Sequence, residues 1–240
     1  MPQHLNRVIL NGEFRPNESV LNDNPELAKL TASIFALWAS IEHSLHLLLT
    51  SVLGADAGLA IAMFATLRGQ RLRMGALEAA AKATLSLNDF DVFRAAISMV
   101  HSAQTPRNYL AHWIWGTCEE LPDALLLAEP KAQKDREREL ILALERADGP
   151  DVKEIINLAR YNPATVLVYR RDDLVRAKCD LEDAERIMTA LTVYFDRQVC
   201  RRASDTSEGV AALREEVFQH FYDNRRFRET LDRIRADQAA

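Results

Sequence analysis

The sequence predicts a mainly α-helical protein: an antiparallel helical bundle with a small inserted antiparallel β sheet and a C-terminal helix. Three observations carry that prediction. Apolar residues recur three and four apart over long stretches, which is the spacing of one helix face. After Gly116 this rhythm gives way to short segments of strand character. The densest of these, Thr165-Val166-Leu167-Val168-Tyr169, is rich in β-branched side chains.

Residues 1–24 read as an N-terminal arm, with Val8-Ile9-Leu10 before Asn11-Gly12 as a short strand and turn. Asn24-Pro25-Glu26 is a helix start, with a cap, a proline at the first position and an acid in the first turn. Leu27, Leu30, Ile34, Trp38, Ile41, Leu45, Leu48, Leu49 and Val52 continue it as a stripe until Gly54. At 1.5 Å per residue this helix is about 40 Å long. Residues 56–84 form one or two helices, with Gly69 as the break. A helix from about Asp89 to Ala103 follows, and the Thr105-Pro106 step restarts or kinks it. Trp113 to Cys118, the turn Glu120-Leu121-Pro122-Asp123, and Ala124 to Ala128 read as a hairpin. A highly charged helix begins at Lys131 and breaks at Asp148-Gly149-Pro150. Beyond the 165–169 strand, Arg171-Asp172-Asp173 turns the chain. An amphipathic helix runs from Leu181 to Cys200, capped by Asp180. Arg201 to Gly209 is a polar linker, and one last charged helix runs from Val210 to about Ala236. The predicted organisation is therefore residues 1–24 as an arm, 25–200 as a helical domain with 116–180 inserted, and 201–240 as linker and helix.

The net charge of -5 supplies no overall basic field, so any contact with nucleic acid is local. The three cysteines, Cys118, Cys179 and Cys200, are widely spaced and form no Cys/His metal pattern. Free thiols in a reducing compartment fit best. No basic segment followed by an apolar run opens the sequence, and the apolar run near Leu45 to Leu53 is short for a bilayer. A soluble cytoplasmic protein with no metal and no cofactor is expected.

One stretch concentrates polar chemistry: Thr105-Pro106-Arg107-Asn108-Tyr109-Leu110-Ala111-His112-Trp113. Thr105 as cap and Pro106 at the first position make it a helix start, whose free amides attract an anion such as phosphate. Asn108 and His112 are four apart and share a face. Arg107 is five before His112, roughly 140° round an ideal helix, within swing of a long side chain. Glu42 lies beside the stripe of the first long helix; buried there, it needs a cationic partner, for which Arg107 is the candidate. Arg68, Arg71 and Arg73 form a small basic cluster that reads as a solvated helix face or as a phosphate-tracking patch.

The run Arg107-Asn108-Tyr109-Leu110-Ala111-His112, after a long antiparallel helix pair, resembles the Arg–x(4–6)–His motif of the HEPN superfamily. There the residue after arginine is commonly asparagine. The resemblance covers residues 25–115 and 181–200. It implies a metal-independent endoribonuclease of toxin–antitoxin or phage-defence type, working as a homodimer on RNA, with an antitoxin or other partner protein. Arg107, Asn108 and His112 would be its catalytic residues. Other members of that superfamily are non-catalytic modules for protein or RNA binding, which is the alternative expectation.

Overall fold

The computed structural model describes residues 1–54, 57–145, 151, 152, 155, 158, 160–196 and 206–239. Among them the protein is mainly helical with a small antiparallel sheet, as the periodicities predict. The chain divides into two compact units. The first comprises Met1–Phe35 and Thr105–Cys179; the second comprises Ala36–Gln104 and Asp180–Ala240.

The first unit holds a five-stranded sheet. Its strands are β1 (Gln3–His4), β2 (Arg15–Pro16), β3 (Ile114–Thr117), β4 (Leu125–Ala128) and β5 (Val166–Tyr169), in the order β1-β5-β4-β3-β2. Every pairing is antiparallel; Trp115 faces Leu127, and Leu126 faces Val168. The hairpin and the 165–169 strand fall where the sequence puts them. Side chains alternate across a strand, so Leu126, Ala128, Val166 and Val168 share one face. They are buried with Leu5, Phe14, Cys118, Ala124 and Tyr161. Leu125, Leu127, Leu167 and Tyr169 lie on the opposite face and are also buried. Burial on both faces is why β4 and β5 read as unbroken apolar runs.

The opening residues depart from expectation. Val8-Ile9-Leu10 is not a strand: Leu5–Val8 forms a single helical turn, α1, and Leu10 is exposed. The strands of this segment are instead β1 and β2, which supply the two edges of the sheet. Two-residue edges carry no alternation to read, and Pro16 is tolerated because an edge strand has a spare N–H side.

The helices follow the periodic stripes with three corrections. Helix α2 (Pro25–Leu53) buries Leu27, Ile34, Trp38, Ile41, Leu45, Leu48 and Leu49, and Gly54 ends it at φ +59°. It is long and apolar enough to cross a membrane by length and composition, a test the core helix of a soluble protein also passes. Helices α3 (Ala57–Thr66) and α4 (Gln70–Thr84) are separate, parted at Gly69, whose φ of +86° few other residues adopt.

The first correction concerns α5, which runs unbroken from Leu87 to His112 with Pro106 inside it. The proline removes one backbone donor, yet Val100 and Ala103 before it and Leu110 after it are buried, and that packing keeps the helix continuous. Thr105 therefore caps nothing. After the charged helix α6 (Pro130–Leu144), the second correction is α7 (Arg171–Phe195). It begins ten residues earlier than expected, and the supposed turn is its first turn. Asp172 and Asp173 sit where the helix dipole favours acids, and the Arg170 N–H donates to Asp173 Oδ2 at 3.2 Å. Third, the final helix is two: α8 (Ser207–Tyr222) and α9 (Arg225–Ala239). Asn224 breaks them, its Oδ1 accepting from the Phe227 N–H at 3.1 Å as an N-cap. The break at Asp148-Gly149-Pro150 and most of the linker from Arg201 lie outside the described residues.

The C-terminal seam is covered within the second unit. Phe221, Phe227 and Leu231 are fully buried, with the Phe221 and Phe227 rings 4.9 Å apart. Arg226 of α9 ion-pairs with Asp180 of α7. A second clamp joins α8 to α5 and α7: Asp89 Oδ1 accepts from the Tyr194 hydroxyl at 2.8 Å and from Arg214 Nη2 at 2.9 Å. The Arg214 guanidinium lies over the Tyr194 ring at 4.3 Å. Burial, then the bond to Asp89, pushes the Tyr194 phenol up to about 12. A phenol of ordinary value near 10 in the unfolded chain holds its proton less tightly than this. Stability from this group is therefore complete below about pH 10 and lost as pH rises from 10 to 12. In urea titrations across that range, Tyr194→Phe is expected to flatten the alkaline loss; an unchanged slope counts against the clamp.

Candidate functional site

The motif lies in the last turns of α5, in the first unit. Its free backbone groups are therefore carbonyls rather than amides, and the anion-attracting helix start expected at Thr105 does not exist. One of those carbonyls is taken: the Trp115 indole Nε1–H donates to the Leu110 oxygen at 2.9 Å, tying β3 back onto the helix end.

Arg107 and Asn108 are brought together. Arg107 Nη1–H donates to Asn108 Oδ1 at 3.2 Å, and the guanidinium carbon stands 6.0 Å from the centre of the Phe35 ring. Both side chains are half-buried. The planar guanidinium carries five N–H donors in a fixed fork. His112 is exposed and makes no hydrogen bond or ion pair with any described residue. It sits one turn beyond Asn108 on the same face, so the imidazole and the amide form a polar ladder. Arg107 and His112 do not touch; in the unbroken helix they point roughly 140° apart.

The other candidates stand elsewhere. Glu42 belongs to the second unit and is half-buried. Within that unit its carboxylate takes part in no hydrogen bond or ion pair with a described residue, and the expected pairing with Arg107 of the first unit stays an expectation. Its backbone oxygen lies 2.6 Å from His46 Nδ1, which donates to it in the matching tautomer. Arg68, Arg71 and Arg73 are also in the second unit. Arg68 and Arg71 are exposed, whereas Arg73 Nε–H donates to the Leu67 oxygen at 3.0 Å and fastens the α3–α4 turn. The role of Arg73 is thus at least partly local.

Two groups escaped the sequence reading of this region. Tyr109 and Trp113 form a second ladder beside the polar one, their rings 4.4 Å apart and tilted by 41°. Their i, i+4 spacing was legible, but nothing distinguished it from core spacing. A cleft of about 370 Å³ also opens between the hairpin turn and the start of α7. Glu120, Asp123 and Asp172 line it together with Arg170 and Arg171, so it carries both signs of charge and none of the motif. Near it Cys118 is buried, its thiol donating to Glu120 Oε2 at 2.9 Å, and burial raises that thiol above its ordinary range. Among the described residues Cys118 and Cys179 are free thiols.

No family model, curated protein or solved structure matches this chain. The fold is that of a mainly helical protein with a small antiparallel sheet, and Arg107, Asn108 and His112 stand in the last turns of its α5 helix.

Proposed function

We propose that the protein is a metal-independent endoribonuclease of HEPN type, acting as a homodimer whose two motifs share one composite site. The observation that carries the reading is the exposed, unbonded imidazole of His112, one turn from the Arg107–Asn108 pair. RNA cleavage needs a base for the ribose 2′-OH and an acid for the 5′-oxygen, and imidazole side chains commonly serve both. One His112 takes the 2′-OH proton as the 2′-oxygen attacks phosphorus. The bond from phosphorus to the 5′-oxygen breaks, and His112 of the partner subunit gives that oxygen a proton. The products are a 2′,3′-cyclic phosphate and a 5′-hydroxyl. Arg107 supplies planar donors for the charge that builds on the phosphoryl oxygens, and Asn108 holds that guanidinium in place.

The test is end-labelled RNA incubated with wild type and with His112→Ala in EDTA. The expected result is cleavage by wild type alone, with cyclic-phosphate ends. Equal persistence of the RNA with both proteins overturns the reading and leaves a binding module.

A further inference from the structure

We propose that the second unit docks on anionic lipid surfaces through helix α3 and the turn into α4, resting in the headgroup layer without crossing the bilayer. This goes beyond the nuclease reading and does not depend on it. From Ala57 to Leu77 the chain holds three arginines and no acid, in a protein whose net charge is -5. The ten residues of α3, Ala57–Thr66, carry no charge at all. A helix apolar on every side is normally enclosed by a protein core or by lipid. Only part of α3 is enclosed. Ala60 and Phe64 are buried, and the Phe64 ring meets His46 of α2 edge-on at 5.0 Å. Gly58, Ala62, Met63 and Ala65 are exposed, Met63 to 64%. Leu72, in the first turn of α4, is 60% exposed.

The polar groups around these side chains suit lipid better than protein. Thr66, the one hydroxyl of α3, donates to the Met63 oxygen at 2.6 Å within its own helix. The exposed face of α3 therefore offers a partner no side-chain hydrogen bond, whereas protein interfaces carry about one per 100–200 Å². Hydrocarbon asks for none. Arg68 and Arg71 are exposed, and within the second unit neither pairs with an acid among the described residues. Guanidinium groups match phosphate oxygens, and basic side chains beside an apolar anchor are drawn to acidic leaflets. Two-fold pairing of this face with a second copy would instead gather like charges. The net negative charge keeps acidic faces off such a leaflet, so contact falls to this basic segment. At 1.5 Å per residue α3 is about 15 Å long, half of a ~30 Å hydrocarbon core, so it lies in the boundary and does not span it.

The experiment sediments the full chain with vesicles, either of phosphatidylcholine alone or of its equimolar mixture with phosphatidylglycerol. Pelleting with the mixture is expected, with little on phosphatidylcholine, and it should weaken as salt rises. Arg68→Gln and Arg71→Gln are each expected to weaken binding about fivefold. Met63→Asp is expected to abolish pelleting, while Ile141→Asp, at a similarly exposed aliphatic position of the first unit, leaves it unchanged. Soluble glycerol phosphate in excess should not release the protein, because a free phosphate brings no apolar boundary. Equal pelleting with both vesicles, release by glycerol phosphate, or equal losses with Met63→Asp and Ile141→Asp each overturns the proposal. So does a chain that stays in the supernatant, and so does a Met63→Asp variant that turns a dimer into a monomer with vesicle binding intact. The lipid and salt arms use wild type, so they decide the matter even where a variant fails to fold.

Discussion

His112→Ala is expected to lower RNA cleavage by at least about a thousandfold, because general acid and general base each contribute about 10²–10⁴ and one substitution removes both from a two-fold site. Its effect on folding should be small. The side chain is exposed and bonded to nothing described, and such surface changes usually stay within about 0.5 kcal/mol. Arg107→Ala is expected to be nearly as inactive but also less stable, since it strips a half-buried side chain from Asn108 and from the neighbourhood of Phe35. Arg107→Lys keeps the charge and loses the planar fork, so it should restore little. Mixing wild type with an excess of His112→Ala tests the shared site directly. Activity should fall with the square of the wild-type fraction if both subunits must contribute, and linearly if each acts alone.

Gly116→Ala is expected to cost about 3 kcal/mol or to prevent folding, at the upper end of what overpacking usually costs. Gly116 sits in β3 between Pro16 of β2 and Leu126 of β4. A methyl group there would fall on the Phe14 ring and on the Arg15 carbonyl. The ring could swing, but the carbonyl belongs to the paired backbone of the edge strand. Relief therefore requires β2 to leave the sheet, which uncovers Phe14 from the core. A melting temperature within two degrees of wild type would mean that β2 is not held as described.

Much of the fold was readable because long stripes at helical spacing leave little choice. The 25–53 helix, the Gly69 break, the hairpin and the 165–169 strand all followed from local pattern. What was misread depended on distant partners. Pro106 looks like a helix start when only its neighbours are known, and is a mid-helix residue once Val100, Ala103 and Leu110 are seen to be buried. Arg171-Asp172-Asp173 has the composition of a turn and the placement of a helix entrance. Of the site, the sequence placed Arg107, Asn108 and His112 close along the chain, whereas the Arg107–Asn108 hydrogen bond depends on side-chain conformation that spacing does not encode. The commitment of Arg73 to a loop carbonyl is a fact of tertiary placement that no spacing encodes.

The sheet's outer strands come from the first sixteen residues, whereas its inner strands come from the middle of the chain. On the ribosome, Gln3 and His4 emerge long before Val168 and Leu167 exist to receive them, and Arg15 waits for Thr117. A nascent chain thus carries two homeless ribbons, and a product clipped beyond Pro16 would present raw β3 and β5 margins to its neighbours. Such margins template chain-to-chain pairing. Recombinant material trimmed at its amino end should precipitate on standing, whatever its histidine does.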